Sequence, residues 1–198
     1  MAQVNATVGD LAGNADKIVD WTRRAAQQGA RIVVFPEMML TGYPVEDLAL
    51  RASFVAASIE TVQRVAGRLA EEGLGGVAVV AGYLDRQAGL APRTGLPAGA
   101  PLDAAALLRG GRVVITTAKH HLPNYGVFDE YRYFVPGNSL PVFRMPAGGT
   151  PGGCSVDACG TPRTLGRRPI YRAATRGSPR RNGALTCCMQ SPSSWALR

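Results

Sequence analysis

The chain has 198 residues, of which 46% are apolar and 18% charged, a composition typical of a globular domain with a buried core. Its net charge of +8 would fit a nucleic-acid-binding protein, but eight arginines and a single acid in residues 149–198 account for nearly all of it. No apolar run approaches the length of a membrane span and no secretory signal opens the chain, so we expect a cytoplasmic protein with no membrane partner.

Hydrophobic periodicity predicts two helices. Asn14 is expected to cap a helix that runs to about Gln28 and buries Ile18, Trp21, Thr22 and Ala25, because these positions recur with a spacing of three and four. A second helix is predicted over Glu46–Glu72, where apolar residues step by four and three and a run of glycines follows.

Short β-branched or alternating runs predict the strands. They are Met1–Val8, Arg31–Phe35, Val77–Leu84, Ala104–Leu108, Arg112–Thr117 and Val142–Met145. Gly110 and Gly111 predict a tight hairpin turn, and the Pro/Gly-rich stretch Gln87–Leu102 predicts an exposed loop. Helices that alternate with strands and precede a hairpin predict a mixed α/β architecture.

The composition changes after about residue 148. Arg, Ser, Pro and Cys replace Val, Ala and Leu, so we predict one domain over residues 1–148 and a disordered tail over residues 149–198. A change of reading frame near this boundary is a second hypothesis, which the nucleotide sequence would test. All four cysteines lie in the tail without paired C-x-x-C spacing, and the chain's two histidines are adjacent, so we predict neither a metal site nor a disulfide framework.

Two dense stretches place ionisable residues where a β-rich run gives way to a loop containing Gly and Pro. V-V-F-P-E-M-M-L-T-G-Y-P holds Glu37, and K-H-H-L-P-N-Y-G-V-F-D-E begins with Lys119 and ends with Glu130. Taken singly, each of these residues is more often a solvated surface group. At the end of a rigid sheet, however, such residues can meet a substrate, and Glu with Lys supplies two parts of an amide-cleaving site.

The segments F-P-E-M-M-L-T-G-Y-P-V-E-D-L and K-H-H-L-P-N-Y-G-V-F-D-E-Y-R-Y-F resemble the nitrilase, or carbon–nitrogen hydrolase, superfamily. More narrowly, they resemble the N-terminal glutaminase domain of glutamine-dependent NAD synthetase, as does the opening A-T-V-G-D-L-A-G-N-A. The resemblance covers about Met1 to Arg144. It implies an α/β fold, a nitrilase-like α-β-β-α sandwich that is incomplete in its C-terminal half.

The resemblance also implies a Glu–Lys–Cys site. Glu37 matches the general base, Lys119 the cation that stabilises the oxyanion, and Glu130 a second carboxylate that orients the site. Tyr125 would contact the L-glutamine substrate, and Tyr43 would help to line its pocket.

The intact family member uses the released ammonia to make NAD from nicotinic acid adenine dinucleotide. ATP and magnesium are then needed only in a synthetase domain that residues 149–198 do not resemble, and the glutaminase half needs no cofactor. The resemblance also implies a homo-oligomer.

The chain departs from the family pattern at the nucleophile. The family's cysteine is followed at once by acidic residues, whereas none of the four cysteines here has an acid beside it, so we expect the chain alone to be inactive. A smaller departure is Asp103, where the family commonly has Asn.

Two alternatives remain: a hydrolase of another small amide, and a non-catalytic binding module whose basic tail meets an acidic partner. Nucleic acid is an unfavoured partner, because the arginines of residues 149–198 are not regularly interleaved with aromatic residues.

Overall fold

The computed structural model describes residues 1–86, 100–139, 141 and 143. The chain divides into two units, Met1–Gly137 and Asn138–Arg198, and every element below belongs to the first. In chain order the elements are helix α1 (Leu11–Gln27), strand β1 (Ile32–Val34), a first 3₁₀ helix (Glu46–Leu50), helix α2 (Ala52–Glu71), strands β2 (Ala78–Arg86), β3 (Pro101–Arg109) and β4 (Arg112–Ala118), and a second 3₁₀ helix (Glu130–Arg132). The prediction of a mixed α/β fold is confirmed.

The four strands form one mixed sheet in the order β1-β2-β3-β4. β1 pairs with β2 in parallel through the α2 crossover, whereas β2, β3 and β4 pair antiparallel. The predicted hairpin joins β3 to β4, and both turn glycines, Gly110 and Gly111, have positive φ angles of 60° and 78°. Two positive φ values in sequence are what a tight turn between twisted strands requires.

Both helices pack against the same face of the sheet. Side chains alternate along each strand, and those of Val79, Ala81 and Tyr83 in β2 share one core with Ile18 of α1 and Val62 of α2. Gly82 and Leu84 of β2 therefore belong to the opposite face. Asp103 is paired with Leu84 and lies on that opposite face as well.

Helix α1 begins earlier than predicted. Asp10 is its N-cap and accepts a hydrogen bond from the backbone N–H of Gly13 at 2.9 Å, so the prediction that Asn14 caps the helix is wrong. Asn14 is instead fully buried, and its side-chain amide donates to the carbonyl groups of Thr7 and Leu40 at 2.7 and 3.1 Å. It thereby ties the N-terminal segment to the loop after β1.

The buried stripe of α1 also differs from the prediction at one edge. Ile18 and Thr22 are buried as expected, but Trp21 is exposed and lies beside Arg24, whose guanidinium is 5.5 Å from the ring centroid. The stripe is centred on Ala15, Ile18, Val19 and Thr22, which places Trp21 at its edge. A Trp at that edge can cover apolar surface while remaining in contact with water.

The predicted second helix is divided in two. Arg51 has an extended ψ of 109°, which separates the first 3₁₀ helix from α2. The predicted apolar stripe of α2 is otherwise confirmed at Val55, Val62, Ala66 and Leu69, all of which are buried.

The other predicted strands and loops compare with the structure in three different ways. Residues 1–8 are not a strand, although the N–H of Ala2 donates to the carbonyl of Val34 at 3.0 Å. β3 begins at Pro101, inside the predicted loop, because a proline is tolerated at the first position of a strand. Most of that loop, all but residue 143 of the strand predicted over residues 142–145, and the tail lie outside the described residues. Within the described part, neither helix is long and apolar enough to cross a membrane.

Candidate active site

The loop after β1 brings Glu37 onto the sheet. The N–H of Phe35 donates to the carbonyl of Val80 at 2.9 Å, and the N–H of Leu40 donates to the carbonyl of Gly82 at 2.9 Å. A Cβ at Gly82 would overlap the backbone nitrogen of Met38, so only glycine lets this loop lie directly on β2. The loop therefore holds Glu37 over the sheet face opposite the helices.

Lys119 follows the last residue of β4 and continues its pairing with β3. Its N–H donates to the carbonyl of Asp103 at 2.8 Å, and its own carbonyl accepts from the N–H of Gly137 at 2.8 Å. A Cβ at Gly137 would overlap the carbonyl of Ala118, so this second contact also depends on glycine. Two backbone hydrogen bonds thus fix the residue that carries the ammonium group.

The Lys119 ammonium lies among carboxylates. Its Nζ is 2.6 Å from Oε1 of Glu37, and it is 2.9 and 2.8 Å from the two carboxylate oxygens of Glu130. The side chains of Lys119 and Glu130 are only 7% and 4% exposed, and that of Glu37 is 12% exposed. The sequence interpretation grouped these three residues into one site, and the structure places them in direct contact.

Glu130 reaches the cluster from the second 3₁₀ helix. Its N–H donates to the carbonyl of Pro123 at 3.1 Å, and the N–H of Phe134 donates to its own carbonyl at 2.9 Å. The hydroxyl of Tyr43 donates to Oε1 of Glu130 at 3.2 Å. Tyr43 is 37% exposed, so its ring borders the cluster from the solvent side, and its role in lining a substrate pocket stays a prediction.

Asp103 is the member that sequence reasoning did not assign to the site. Its side chain is 4% exposed, and its Oδ2 lies 3.7 Å from Nζ of Lys119. One oxygen of each of Asp103, Glu37 and Glu130 can be chosen so that all three lie within 4.8 Å of one another. The available signal was a lone acid inside P-L-D-A-A-A-L-L, since an acid in an apolar strand is seldom a surface group.

Burial and mutual contact set the protonation of the cluster. Burial raises the pKa of Asp103 well above its ordinary value, and hydrogen bonding to Glu37 raises it further. Burial also raises the pKa of Glu130, against the opposing effect of Lys119. Burial alone would lower the pKa of Lys119, but its hydrogen bonds to Glu130 and Glu37 outweigh this and raise it. The lysine therefore stays charged, and Asp103 and Glu130 bind protons more tightly than isolated carboxylates do.

The three carboxylates have a spacing that suits a hard cation, since such ions take several oxygen ligands. The ammonium of Lys119, however, already lies within 2.6–2.9 Å of two of them. It supplies the positive charge that a metal ion would otherwise bring. The geometry of these residues therefore fits an internal cation.

Tyr125 is not brought to the cluster by any contact in the described structure. It is 71% exposed in the loop between β4 and the second 3₁₀ helix, and its ring packs edge-on against Phe128 at a centroid distance of 5.7 Å. Its role in substrate contact stays a prediction. Nδ1 of His120 lies 2.6 Å from the carbonyl oxygen of Gly137, which gives that ring a local structural partner. The four cysteines lie outside the described residues.

The chain is similar to curated synthetases over most of its own length. The glutamine-dependent NAD(+) synthetase of Thermotoga maritima is 38% identical over 145 residues, which is 73% of this chain and 23% of that protein. The enzyme of the same name from Xanthomonas campestris is 38% identical over 136 residues, 68% of this chain and 22% of that protein. The chain thus spans less than a quarter of the length of these relatives.

Solved structures show the same similarity. Glutamine-dependent NAD+ synthetase from Acinetobacter baumannii, in complex with ADP, matches with a TM-score of 0.61 and 32% identity, covering 73% of this chain and 25% of that one. An amidase from Nesterenkonia sp. matches with a TM-score of 0.54 and 26% identity, covering 72% of this chain and 49% of that one. These likenesses confirm the predicted nitrilase-like fold class.

The match to a family profile is the most extensive of these similarities. It covers residues 1–163 and has the description carbon-nitrogen hydrolase. It includes every residue of the Glu37–Asp103–Lys119–Glu130 cluster and continues past the boundary predicted at residue 148. Because this match covers well over half of the sequence, the chain belongs to the carbon-nitrogen hydrolase family.

Proposed function

We propose that this chain supplies the base and oxyanion side of a glutamine amide hydrolase, whose ammonia serves ATP-dependent synthesis of NAD from nicotinic acid adenine dinucleotide. The observation that carries the proposal is the buried Lys119 ammonium, held at 2.6 Å from Glu37 and 2.8 Å from Glu130. The similarity to glutamine-dependent NAD synthetases supports the choice of glutamine. ATP and magnesium belong, in this proposal, to the synthetase reaction and not to this site.

Glu37 acts as the general base. It takes the proton of a cysteine thiol, and the resulting thiolate attacks the side-chain amide carbon of glutamine. The proton then passes from Glu37 to the leaving nitrogen as the carbon–nitrogen bond breaks, which releases ammonia and leaves a thioester. Water attacks the thioester while Glu37 accepts the proton of that water. The carbon–sulfur bond then breaks, glutamate leaves, and Glu37 returns the proton to the sulfur, which re-forms the thiol.

Lys119 stabilises the negative charge that develops on the amide oxygen. An ammonium group has three N–H donors, and two of those of Lys119 are directed to Glu37 and Glu130. The third is the donor for the oxyanion. A buried and fixed ammonium is well suited to this role, because its field is weakly screened and it need not reorganise during the reaction.

The two tyrosines have separate roles in this proposal. The hydroxyl of Tyr43 holds Glu130 at 3.2 Å, and its ring, which is 37% exposed, forms part of the pocket wall. Burial raises the pKa of Tyr43, and the neighbouring charge of Glu130 raises it further, so the hydroxyl stays a donor at neutral pH. Tyr125 contacts the glutamine from the exposed loop, a role that its accessibility permits.

The nucleophile is the part of the mechanism that the described residues do not supply. None of the four cysteines has an acidic neighbour in sequence, in contrast to the family motif. We therefore expect the purified chain to release no ammonia from L-glutamine. Ammonia release that is lost in Glu37→Gln would contradict this expectation and would show that a cysteine of this chain is a working nucleophile.

A chimera tests the proposal directly. Residues 1–137 of this chain would replace the matching segment of the Thermotoga maritima synthetase, and ammonia release from L-glutamine would be measured. We expect turnover that is lost in Lys119→Met and kept in the control Lys17→Met, which alters a lysine on the outer surface of α1. A folded chimera with no turnover on any amide, while the parent enzyme is active, would refute the proposal.

A second candidate is hydrolysis of another small amide. The match to the Nesterenkonia amidase, at 26% identity over 72% of this chain, favours it. The same chimera separates the two, since turnover on acetamide or acrylamide that exceeds turnover on L-glutamine would favour the second candidate. We expect glutamine to be preferred.

A further inference from the structure

Asp103 has the least compensated carboxyl group of the cluster. Glu37 and Glu130 lie within 2.6–2.9 Å of the Lys119 ammonium, and Glu130 also accepts a hydrogen bond from Tyr43. Asp103 lies 3.7 Å from that ammonium, beyond hydrogen-bonding distance, and its buried Oδ2 receives no hydrogen bond. Oε2 of Glu130 receives none either, but it lies only 2.8 Å from the ammonium. A buried carboxylate without donors is a costly group to keep ionised.

The net charge of the cluster also indicates that one of its carboxyl groups is protonated. Three carboxyl groups surround one ammonium, so full ionisation would leave two uncompensated negative charges within 4.8 Å of one another. Carboxylates that share a buried site do not all ionise at neutral pH, and one of them keeps its proton. The carboxyl group farthest from the lysine and poorest in donors is the one on which the proton is best retained.

We propose that Asp103 is a positioning residue that stays protonated at neutral pH and donates a hydrogen bond to Glu37. The proton then sits on a group that does no chemistry, and Glu37 remains an acceptor for the proton of the nucleophile. The use of Glu37 as the base for the nucleophile rests on the proposed function. The assignment of the proton to Asp103 does not depend on that function.

The groups that face Asp103 come from several elements. Glu37 approaches from the loop after β1, Lys119 from the end of β4, and Glu130 from the second 3₁₀ helix, with Tyr43 beside it. β2 places the apolar Leu84 opposite. Burial and the hydrogen bond to Glu37 raise the pKa of Asp103, which agrees with the assignment made from the distances.

Infrared difference spectroscopy on the full chain tests the inference. At neutral pH the wild type should show the C=O stretch of a protonated carboxylic acid, and Asp103→Asn should abolish it while keeping a donor of similar shape. Asp129→Asn removes an exposed acid of the neighbouring loop and should leave the band unchanged. A band that persists in Asp103→Asn and disappears in Glu130→Gln would place the proton on Glu130 and overturn the inference. The absence of any such band in the wild type would overturn it as well.

Thermal denaturation gives a readout that a purely structural role would not produce. A group whose pKa is raised by folding contributes stability below its unfolded pKa, and this contribution is lost as the pH rises towards its folded pKa. The melting temperature of Asp103→Asn, measured relative to the wild type, should therefore increase by several degrees between about pH 5 and about pH 8. A constant offset would contradict the inference, whereas Asp129→Asn should show no trend.

A measurement on the wild type alone covers the case in which Asp103→Asn does not fold. With aspartate labelled at its side-chain carboxyl carbon, one resonance should titrate far above the others, and a spectrum in which none does would overturn the inference.

In the chimera, Asp103→Asn should retain turnover and Asp103→Ala should lower kcat with little change in KM. A chimera without activity would count against the proposed function, while the spectra would still decide the position of the proton.

Discussion

Two of the regions in the described structure that contain ion pairs differ in their surroundings, and the pairs differ in their consequences. Between α1 and α2, Arg68 pairs with Asp16 at 2.7 Å and Arg23 pairs with Glu72, all on side chains that are at least 30% exposed. At the end of the sheet, Lys119 meets its carboxylates with side chains at most 12% exposed. Water and salt screen the first group, whereas the second depends on its partners for compensation. The same type of contact therefore joins two helices in one region and builds a buried charge cluster in the other.

The largest effect expected from this comparison is that of Lys119→Met. It would remove the one cation among the three carboxylates and should lower the free energy of unfolding by about 3–5 kcal/mol, the usual cost of removing one partner from a buried charge pair. Urea denaturation at neutral pH measures it. Lys17→Met, which removes a lysine that only meets Asn5 and Thr7 at the surface, is the matched control. Equal losses in the two variants would break the distinction between the regions.

Gly82→Ala should have the next largest effect. Its added methyl group would overlap the backbone of the loop that carries Glu37, at a cost of about 1–3 kcal/mol. Gly67→Ala is the control, because a Cβ there meets nothing within 4 Å and a helical glycine is replaced by the best helix former. It should therefore raise stability by about 1 kcal/mol. Destabilisation by both exchanges would mean that the close approach at β2 is not the cause.

The pH dependence of stability sharpens the comparison further. The pKa values of Asp103 and Glu130 are raised by folding, so each contributes stability at low pH that is lost as the pH rises from about 4 towards the folded pKa. The slope should be at most about 1.4 kcal/mol per pH unit for each proton bound on folding. Glu130→Gln should remove the part that Glu130 contributes. Denaturation at several pH values measures this, and an identical slope in wild type and variant would contradict it.

Arg68→Met should have the smallest effect. It breaks an exposed pair between α1 and α2, which is worth about 0–1 kcal/mol. The difference should shrink further in concentrated salt, because exposed charges are screened within about 3 Å at 1 M ionic strength. Denaturation at low and high salt checks both statements. A loss comparable to that of Lys119→Met would show that exposure does not separate the two regions.

The sequence alone could indicate that Glu37 and Lys119 meet, because both follow strands, whereas Glu130 was assigned to the site only through the family resemblance. Glu37 follows β1 and Lys119 follows β4, and a pattern of apolar runs that end in loops can be read without a structure. Asp103 was noted only as a departure from the family, because nothing local reports that β3 pairs it with Leu84 and that its backbone carbonyl accepts from Lys119. Pairing across strands is a long-range property.

The fold shows the same limit. The stripe of α2 was predicted well, since periodicity alone decides which face of a long helix is buried. Asn14 was taken for a cap because its residue type suits one, but the tertiary contacts with Thr7 and Leu40 made it a buried anchor. Met38 has a positive φ of 48°, which a bulky residue rarely adopts, and only the surrounding loop explains it.

The central claim is that the Glu37–Lys119–Glu130 cluster is one side of a glutamine hydrolase site. The most direct test is kcat for ammonia release from L-glutamine in the Thermotoga maritima chimera carrying Glu37→Gln, compared with Glu60→Gln on the exposed face of α2. We predict that Glu37→Gln lowers kcat by about 10²–10⁴-fold, the usual contribution of a positioned general base, and that Glu60→Gln leaves kcat unchanged. A chimera that hydrolyses glutamine equally well with and without Glu37 would contradict the account.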